Sequence, residues 1–350
     1  MQTIDIEGLE QELRGLGEFY YWQNDGNLGD YVIAAATMQL FRRAGLVWHP
    51  YDPDNPPPEE EYSLVYGGGG RFVPYWRGIE LRLNHLTRSE VRRCIILPHS
   101  IFGVDSFVKS LDERHVVFCR ELQSLNYCRS LNQRSQFVLA HDIGISLCLE
   151  QVKVHTPLRK PRPDDGEEVA KLYKLLTGYA GRIAHARVHY ATVKSPVSRR
   201  SLAFFLRQDG EKSIAEYSPL AYDLSALWSG SCNETSYNSS LLTLMAELVA
   251  YPDVVVTDRL HVAIMAMHVG REVYMLDNDY GKLSGVYEVS LKDRSNVHLL
   301  PPGEPWPEEI VTAWQCLNAP WRRLLYRVRF VLPTKIWNFS KRVLRKLLMR

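Results

Sequence analysis

The chain has 350 residues, 45% of them apolar and 23% charged, which excludes a disordered segment and is more than one hydrophobic core usually serves. Its net charge of +2 hides an asymmetry: residues 321–350 hold ten Lys or Arg and no Asp or Glu, which leaves the preceding 320 residues at −8. Six scattered cysteines (Cys94, Cys119, Cys128, Cys148, Cys232, Cys316) without a C-x-x-C pair argue against a disulfide framework and against a metal site, while the charged N-terminus and the lack of any apolar run of about 18–20 residues argue against a signal peptide and a membrane span.

In chain order, "EFYYW" (18–22) reads as a strand. "GDYVIAAATMQLFRRAG" (29–45) reads as a helix, with Ile33, Ala36, Leu40 and Ala44 on one face and Gly45 as its stop. "YSLVYGGGG" (62–70) is a strand running into glycines, and "CIILPHS" (94–100), "HVVFCR" (115–120) and "FVLAHD" (136–142) are further short apolar strands. Apolar strands separated by helical patterns predict a parallel sheet covered on both faces. A polar, proline-bearing stretch, "HTPLRKPRPDDGEE" (155–168), reads as a linker. A second series follows with "SLAFFLRQD" (201–209), a helix around 234–250, "DVVVTD" (253–258), another helix and "EVYML" (272–276). The prediction is an α/β protein of two Rossmann-like domains facing across a cleft, with ligands beyond the carboxyl ends of the strands. The expected divisions are 1–152, a linker at 153–168, 169–305, and a basic helical tail at 306–350.

Five places carry candidate chemistry. "NDGNLGD" (24–30) links a strand to a helix, where glycines and free N–H groups suit an anion or a hydroxyl-rich ligand; a tight turn with Asp30 at the helix start is the plain alternative. "GGGG" (67–70) leaves room for something pressed against the backbone, at an entropic cost that a simple turn does not require. His99 in "LPHS" is a base near neutral pH or a hydrogen-bonded structural histidine. Arg207 ends an apolar strand and needs an anionic partner. Last, "VVVTDRLH" sets Asp258, Arg259 and His261 where a buried strand ends, and Lys282 follows the next strand; a charge in such a place is costly unless it meets a partner or a ligand.

Together these pieces resemble the polysaccharide pyruvyl transferases. The matching stretches are "GNLGD", "GGGG", "LPHS", "CRELQS" (119–124), "HDIGISL" (141–147), "FLRQD" (205–209) and "VVVTDRLH…LDNDYGK" (254–282), in the family's order over about residues 18–290. Glu121 stands where the family commonly has Asp, and His99 precedes Ser100 where Gln is usual. The resemblance implies a GT-B-like fold, phosphoenolpyruvate as donor, and a sugar of a bacterial surface glycan as acceptor, joined as a pyruvate ketal. It implies no metal and no cofactor beyond that co-substrate. It supports Arg259, Leu260 and His261 as donor-site residues. Arg207 and Lys282 join Arg259 as anion-binding groups, since a carboxylate and a phosphate need several cations. His261 is the expected acid, and Asp30 and His99 are expected on the hydroxyl side. Asn27, Gly29, Gly68, Gly69, Ser100 and Asp258 are expected to line the cleft.

The competing enzyme is a nucleotide-sugar glycosyltransferase of the same fold. A nucleic-acid-binding role is disfavoured by the acidic body and the few aromatics near the basic cluster. The tail places Trp321, Leu324, Leu325, Val328 and Val331 on one face of a helix, and Ile336, Phe339, Val343, Leu344 and Leu347 on another, each flanked by basic residues. This predicts a cytoplasmic protein that touches the inner face of the membrane through residues 321–350 and takes a lipid-linked oligosaccharide; the alternative is that the tail packs on the body.

Overall fold

The computed structural model describes residues 3–326 apart from 59, 76–77, 153–173, 175–177, 210–217, 228, 231–234 and 278–280. The expected linker at 153–168 and most of the tail lie outside the described residues. The strands are β1 Phe19–Trp22, β2 Gly26–Asn27, β3 Trp48–Pro50, β4 Tyr62–Tyr66, β5 Gly69–Phe72, β6 Val91–Ile101, β7 His115–Cys119, β8 Gln136–Leu139, β9 Thr192–Lys194, β10 Ser201–Phe205, β11 Ser229–Gly230, β12 Val254–Thr257, β13 Glu272–Leu276 and β14 Val297–Leu300. They form a mixed α/β fold with two main sheets. The first runs β3-β1-β4-β6-β7-β8, with β5 also paired to β6, and all its pairs are parallel. The second runs β14-β13-β12-β10-β9, parallel but for the β9 edge.

The continuous apolar runs occupy the sheet centres, as a sheet covered on both faces requires. Every residue of β4, β7 and β12 is buried. The helices are α1 Ile6–Arg14, α2 Leu28–Ala44, α3 Ile79–Leu86, α4 Asp105–Ser110, α5 Leu122–Leu131, α6 Tyr179–Ala191, α7 Thr235–Ala250, α8 Leu260–His268, α9 Lys282–Val286, α10 Glu308–Leu317 and α11 Pro320–Tyr326. Asn27 caps α2, and Gly45 ends it in the left-handed conformation at φ 62°, which a side chain would disfavour.

The two sheets share packing. α2 packs against both α7 and α8, and a single apolar cluster runs through Tyr31, Ile33 and Leu40 of α2, Met245 of α7 and Met265 of α8. Removing such a side chain, as in Ile33→Ala, costs about 2–5 kcal/mol. A two-stranded antiparallel clip also joins the halves, with Gly26 opposite Gly230 and Asn27 opposite Ser229. The carboxyl ends of the strands of both sheets are thereby brought to one place. The described cysteines, Cys94, Cys119, Cys128, Cys148 and Cys316, are all free thiols.

In the first turn of the tail, two residues of the expected apolar face stand open to solvent. Trp321 and Leu324 of α11 are 60% and 63% exposed. The helix docks instead through Arg322, whose Nη2 donates to the carbonyls of Tyr190 and Thr192 at 2.7 and 3.1 Å, and through Tyr326, edge-on to Tyr190. The guanidinium meets carbonyls at the end of α6 and in β9, so this basic side chain turns inward.

Candidate active site

The turn between β1 and α2 is shaped by a capping box. The Asn27 Oδ1 accepts from Gly29 N at 2.8 Å, and Asp30 Oδ2 accepts from Asn27 N at 2.8 Å. Burial pushes the Asp30 carboxyl up, against the pull of His261, the Asn27 N–H, Arg71 and Arg120. A Cβ on Gly29 would come within 2.8 Å of His261 Nδ1, so this glycine is a packing partner of His261.

The four-glycine run is explained one residue at a time. A Cβ on Gly67 would come within 2.7 Å of Asn24 N, and one on Gly68 within 2.9 Å of the Pro98 carbonyl oxygen. Gly69 has a φ of +147°. A Cβ on Gly70 would meet Lys282 Nζ at 2.8 Å and Arg120 Nη2 at 3.1 Å. The glycines let the backbone press on the neighbouring β1 loop and strand, and the last leaves space for two cations.

On the N-terminal side the cations share a buried carboxylate. Arg120, at the end of β7, is 1% exposed; its Nη1 donates to Asp142 Oδ2 at 2.7 Å and its Nε to Ser100 Oγ at 2.8 Å. The Ser100 hydroxyl in turn donates to Glu121 Oε2 at 3.1 Å. Burial pushes Glu121 up, against the pull of Arg120 and the Ser124 hydroxyl. His261 Nε2 lies 3.6 Å from Asp142 Oδ2, an ion pair when the ring is protonated but too long for a hydrogen bond. Burial alone would raise the Asp142 carboxyl; His261, then Arg120 and the Gly144 N–H, hold it well below the usual carboxylate range.

On the C-terminal side, the Arg259 fork is already engaged. Its Nε and Nη2 donate to Asp223 at 3.0 and 2.5 Å, and Nη2 donates also to Asp209 at 2.9 Å. Nη1 takes no part in these pairs. Arg207 donates through Nε and Nη2 to Asp209 at 2.8 and 3.1 Å, and its backbone N–H donates to Asp258 Oδ1 at 2.7 Å. Asp258 is therefore a buried support for the Arg207 backbone.

A cavity of about 180 Å³ lies between these groups, lined by Gly26, Asn27, Asp30, Gly70, Arg71, Arg120, Arg207, Ser225, Arg259, Leu260, His261, Lys282 and Leu283. Of the residues expected from the sequence, Asn27, Asp30, Arg207, Arg259, Leu260, His261 and Lys282 come together there. Gly29, Gly68, Gly69, Ser100 and Asp258 stand behind the wall instead, as packing and hydrogen-bonding partners. His99 is a correction. Its ring is fully buried, 4.6 Å from Phe72 and 5.6 Å from Tyr66 between ring centres, with Nδ1 against the Leu97 carbonyl. Burial, and then Arg120, hold it neutral, well below an ordinary histidine. The alternation along β6 turns it into the aromatic core, which removes it as a base for a ligand in the cavity.

Arg71, Arg120 and Asp142 were not singled out in the sequence. Arg120 carries the same signal as Arg207, an arginine closing an apolar strand. Arg71 follows the glycine run and is tied to the Asp25 carbonyl at 2.9 Å through Nε. Asp142 and Asp209 lie in the stretches "HDIGISL" and "FLRQD" without being marked out there as site residues, and Asp223 lies in a loop with no local pattern that marks it. Among the described residues, no group of three or more His, Cys, Asp or Glu side chains is gathered as a metal site.

Residues 27–280 match the family model described as "Polysaccharide pyruvyl transferase". The chain is 23% identical over 323 residues to "Putative pyruvyl transferase EpsO" of Bacillus subtilis (strain 168), covering 83% of this chain and 93% of that one. A crystal structure of a functionally uncharacterized protein from Klebsiella pneumoniae subsp. pneumoniae NTUH-K2044 superposes with a TM-score of 0.62 at 25% identity, covering 83% of this chain and 96% of that one.

Proposed function

Because the chain belongs to the polysaccharide pyruvyl transferase family, we propose that it moves the pyruvyl unit of phosphoenolpyruvate onto two hydroxyls of one sugar in a bacterial exopolysaccharide or cell-surface glycan. The observation that carries this reading is the cavity wall. Arg71, Arg120, Arg207, Arg259, Lys282 and His261 surround a small space in which Asp30 is the one carboxylate among the described lining residues. A small dianion or trianion suits such a wall, and about 180 Å³ falls below the roughly 300–1,000 Å³ of clefts for larger ligands.

In this reading His261 delivers a proton to C3 of the enol, which becomes the methyl carbon and leaves C2 electron-poor. A sugar hydroxyl adds to C2 and gives its proton to Asp30. The C2–O bond to phosphate then breaks and the phosphate leaves with the proton held by Asp30; a second hydroxyl of the same sugar closes on C2 and returns its proton to the now neutral His261, and the products are a pyruvate ketal and inorganic phosphate. Asp142 holds the imidazolium of His261 against the cavity, while the arginines and Lys282 bind the carboxylate and phosphate and stabilise the leaving group. Residues 1–152 would form the acceptor side and 169–305 the donor side of a GT-B-like pair of Rossmann-like domains.

The test is to incubate the protein with phosphoenolpyruvate and candidate glycans and to follow phosphate release and a new ketal by NMR. Turnover with a nucleotide sugar and none with phosphoenolpyruvate would select the glycosyltransferase reading instead. We also propose a place at the inner face of the cell membrane, with a lipid-linked acceptor, on the strength of the exposed Trp321 and Leu324 beside Arg323 and of the basic residues that follow. No helix among the described residues is long and apolar enough to cross a membrane. Sedimentation of the full chain with anionic liposomes at low salt checks this; a chain that ignores them sinks it.

A further inference from the structure

We propose that a second groove, at the carboxyl ends of β1 and β3, binds the sugars that flank the modified one in the acceptor chain. This rests on the pyruvyl-transfer reading of the cationic cavity. The groove encloses about 600 Å³, more than three times that cavity. The two share one turn: Gln23 and Asp25 line the groove, and the next residues, Gly26 and Asn27, line the cavity. Arg71, a cavity residue, donates to the Asp25 carbonyl at 2.9 Å and ties the shared wall together. The ends of parallel strands are where such sheets take ligands.

The chemistry of the wall differs from that of the cavity. Half-buried Trp48 gives it an aromatic side, backed by the buried rings of Tyr21, Trp22 and Tyr51, with ring contacts of 5.9 Å between Tyr21 and Trp48 and 5.4 Å between Trp22 and Tyr51. Asp25, Asp52 and Gln23 supply hydrogen-bonding groups, and Arg42 is the single cation on the described lining. A phosphate or nucleotide finds no cation cluster here. A neutral, hydroxyl-rich chain does find its complement: carboxylates and amides for its hydroxyls, and the Trp48 ring for the C–H face of a sugar. The Gln23 amide nitrogen adds an independent pointer. It is buried and has no hydrogen-bond partner among the described residues, the state of a donor waiting for a ligand or water. Pre-set aromatic rings lose little freedom on binding, so the groove orients a long acceptor at small entropic cost.

The probe is a set of neutral oligosaccharides, made by mild-acid removal of ketals and partial hydrolysis of the exopolysaccharide of the organism that carries this chain. Binding is read from tryptophan fluorescence of the full chain, and phosphoenolpyruvate binding from calorimetry. Gln23→Met has no native Nε2 bond to lose and keeps the fold; Trp48→Ala and Asp52→Asn are the companions. Each is expected to weaken oligosaccharide binding about tenfold or more, the value of one well-made polar or stacking contact, with phosphoenolpyruvate affinity within about twofold of wild type. Oligosaccharides that do not bind the wild type, or that bind Gln23→Met and Trp48→Ala as tightly, overturn the groove. If they bind in a Gln23-dependent way while phosphoenolpyruvate does not bind at all, the groove stands and the donor assignment fails.

Discussion

On the N-terminal side of the cavity, Arg120 and Asp142 are each 1% exposed, and one carboxylate serves both Arg120 and His261. On the C-terminal side, Arg207 and Arg259 share Asp209, whose side chain is 38% exposed. The same residue types are thus set to different tasks. A buried, shared carboxylate cannot be exchanged without stranding two cations, so the N-terminal cluster holds its members in place. Half-exposed Asp209 already competes with water, so its pairing with Arg207 and Arg259 yields to an incoming anion at lower cost, while buried Asp223 keeps its hold on Arg259. We propose that the N-terminal cluster chiefly orients and the C-terminal one chiefly binds.

The largest effects should fall on the proton-transfer groups that the N-terminal cluster orients. His261→Gln should lower turnover by about 10²–10⁴ while leaving phosphoenolpyruvate affinity within a few-fold; surviving turnover would move the acid elsewhere. Asp30→Asn should cost a similar factor. Because burial raises the Asp30 carboxyl and a base must be ionised, wild-type turnover should climb with pH through a value above the ordinary aspartate value of about 3.9. That limb should vanish from the residual rate of Asp30→Asn.

Asp142→Ala tests the orienting role itself. Leaving Arg120 buried without its partner should cost about 3–5 kcal/mol of stability, read as a lowered urea midpoint. The Asp142 carboxyl is depressed in the folded state, so its contribution is complete above the unfolded value of about 3.9 and is lost as pH falls through the lower folded value. The gap between wild type and variant should therefore close only in strong acid. A gap of the same size throughout would mean that the carboxylate is not what stabilises the cluster.

Arg259→Ala probes the binding side. It should weaken phosphoenolpyruvate by about 2–5 kcal/mol in calorimetry, and Arg259→Lys should restore little, since a point charge cannot keep Asp223 and Asp209 while presenting Nη1. Affinity equal to wild type would break the division of labour. The smallest effects concern the glycines. Gly68→Ala sets a methyl 2.9 Å from a backbone carbonyl, whereas Gly70→Ala meets mainly the flexible end of Lys282. Gly68→Ala should cost about 1–3 kcal/mol of stability. Gly70→Ala should cost less stability and show itself in donor affinity; the reverse order in thermal melts and calorimetry would undo the account of the glycine run.

The legible part of this protein was the part with a local cause. Strand and helix positions followed from apolar runs and periodicity, as in α2, where the expected helix over 29–45 is observed at Leu28–Ala44 with Gly45 as its left-handed cap. Arg207, Arg259, His261 and Lys282 were legible because a charge after a buried strand must meet something. Arg120 carried the same mark and went unread.

The sequence by itself determined the α/β class, the main apolar strands and which of their ends bear charge, because backbone periodicity and the cost of burying charge act over a few residues; α1, β3, β9 and β14 had no such local mark. Tertiary structure alone decided which of those groups face one another. His99 lies within β6 and Asp30 in the first turn of α2; pleating turns the first into the Tyr66–Phe72 core, while the capping box at Asn27 holds the second at the cavity. Asp142 meets His261 only because α2, α7 and α8 pack together and bring the ends of the two sheets into contact. That ion pair is a matter of a few ångströms across the chain, and no pattern within one segment encodes the partner that the other half will supply.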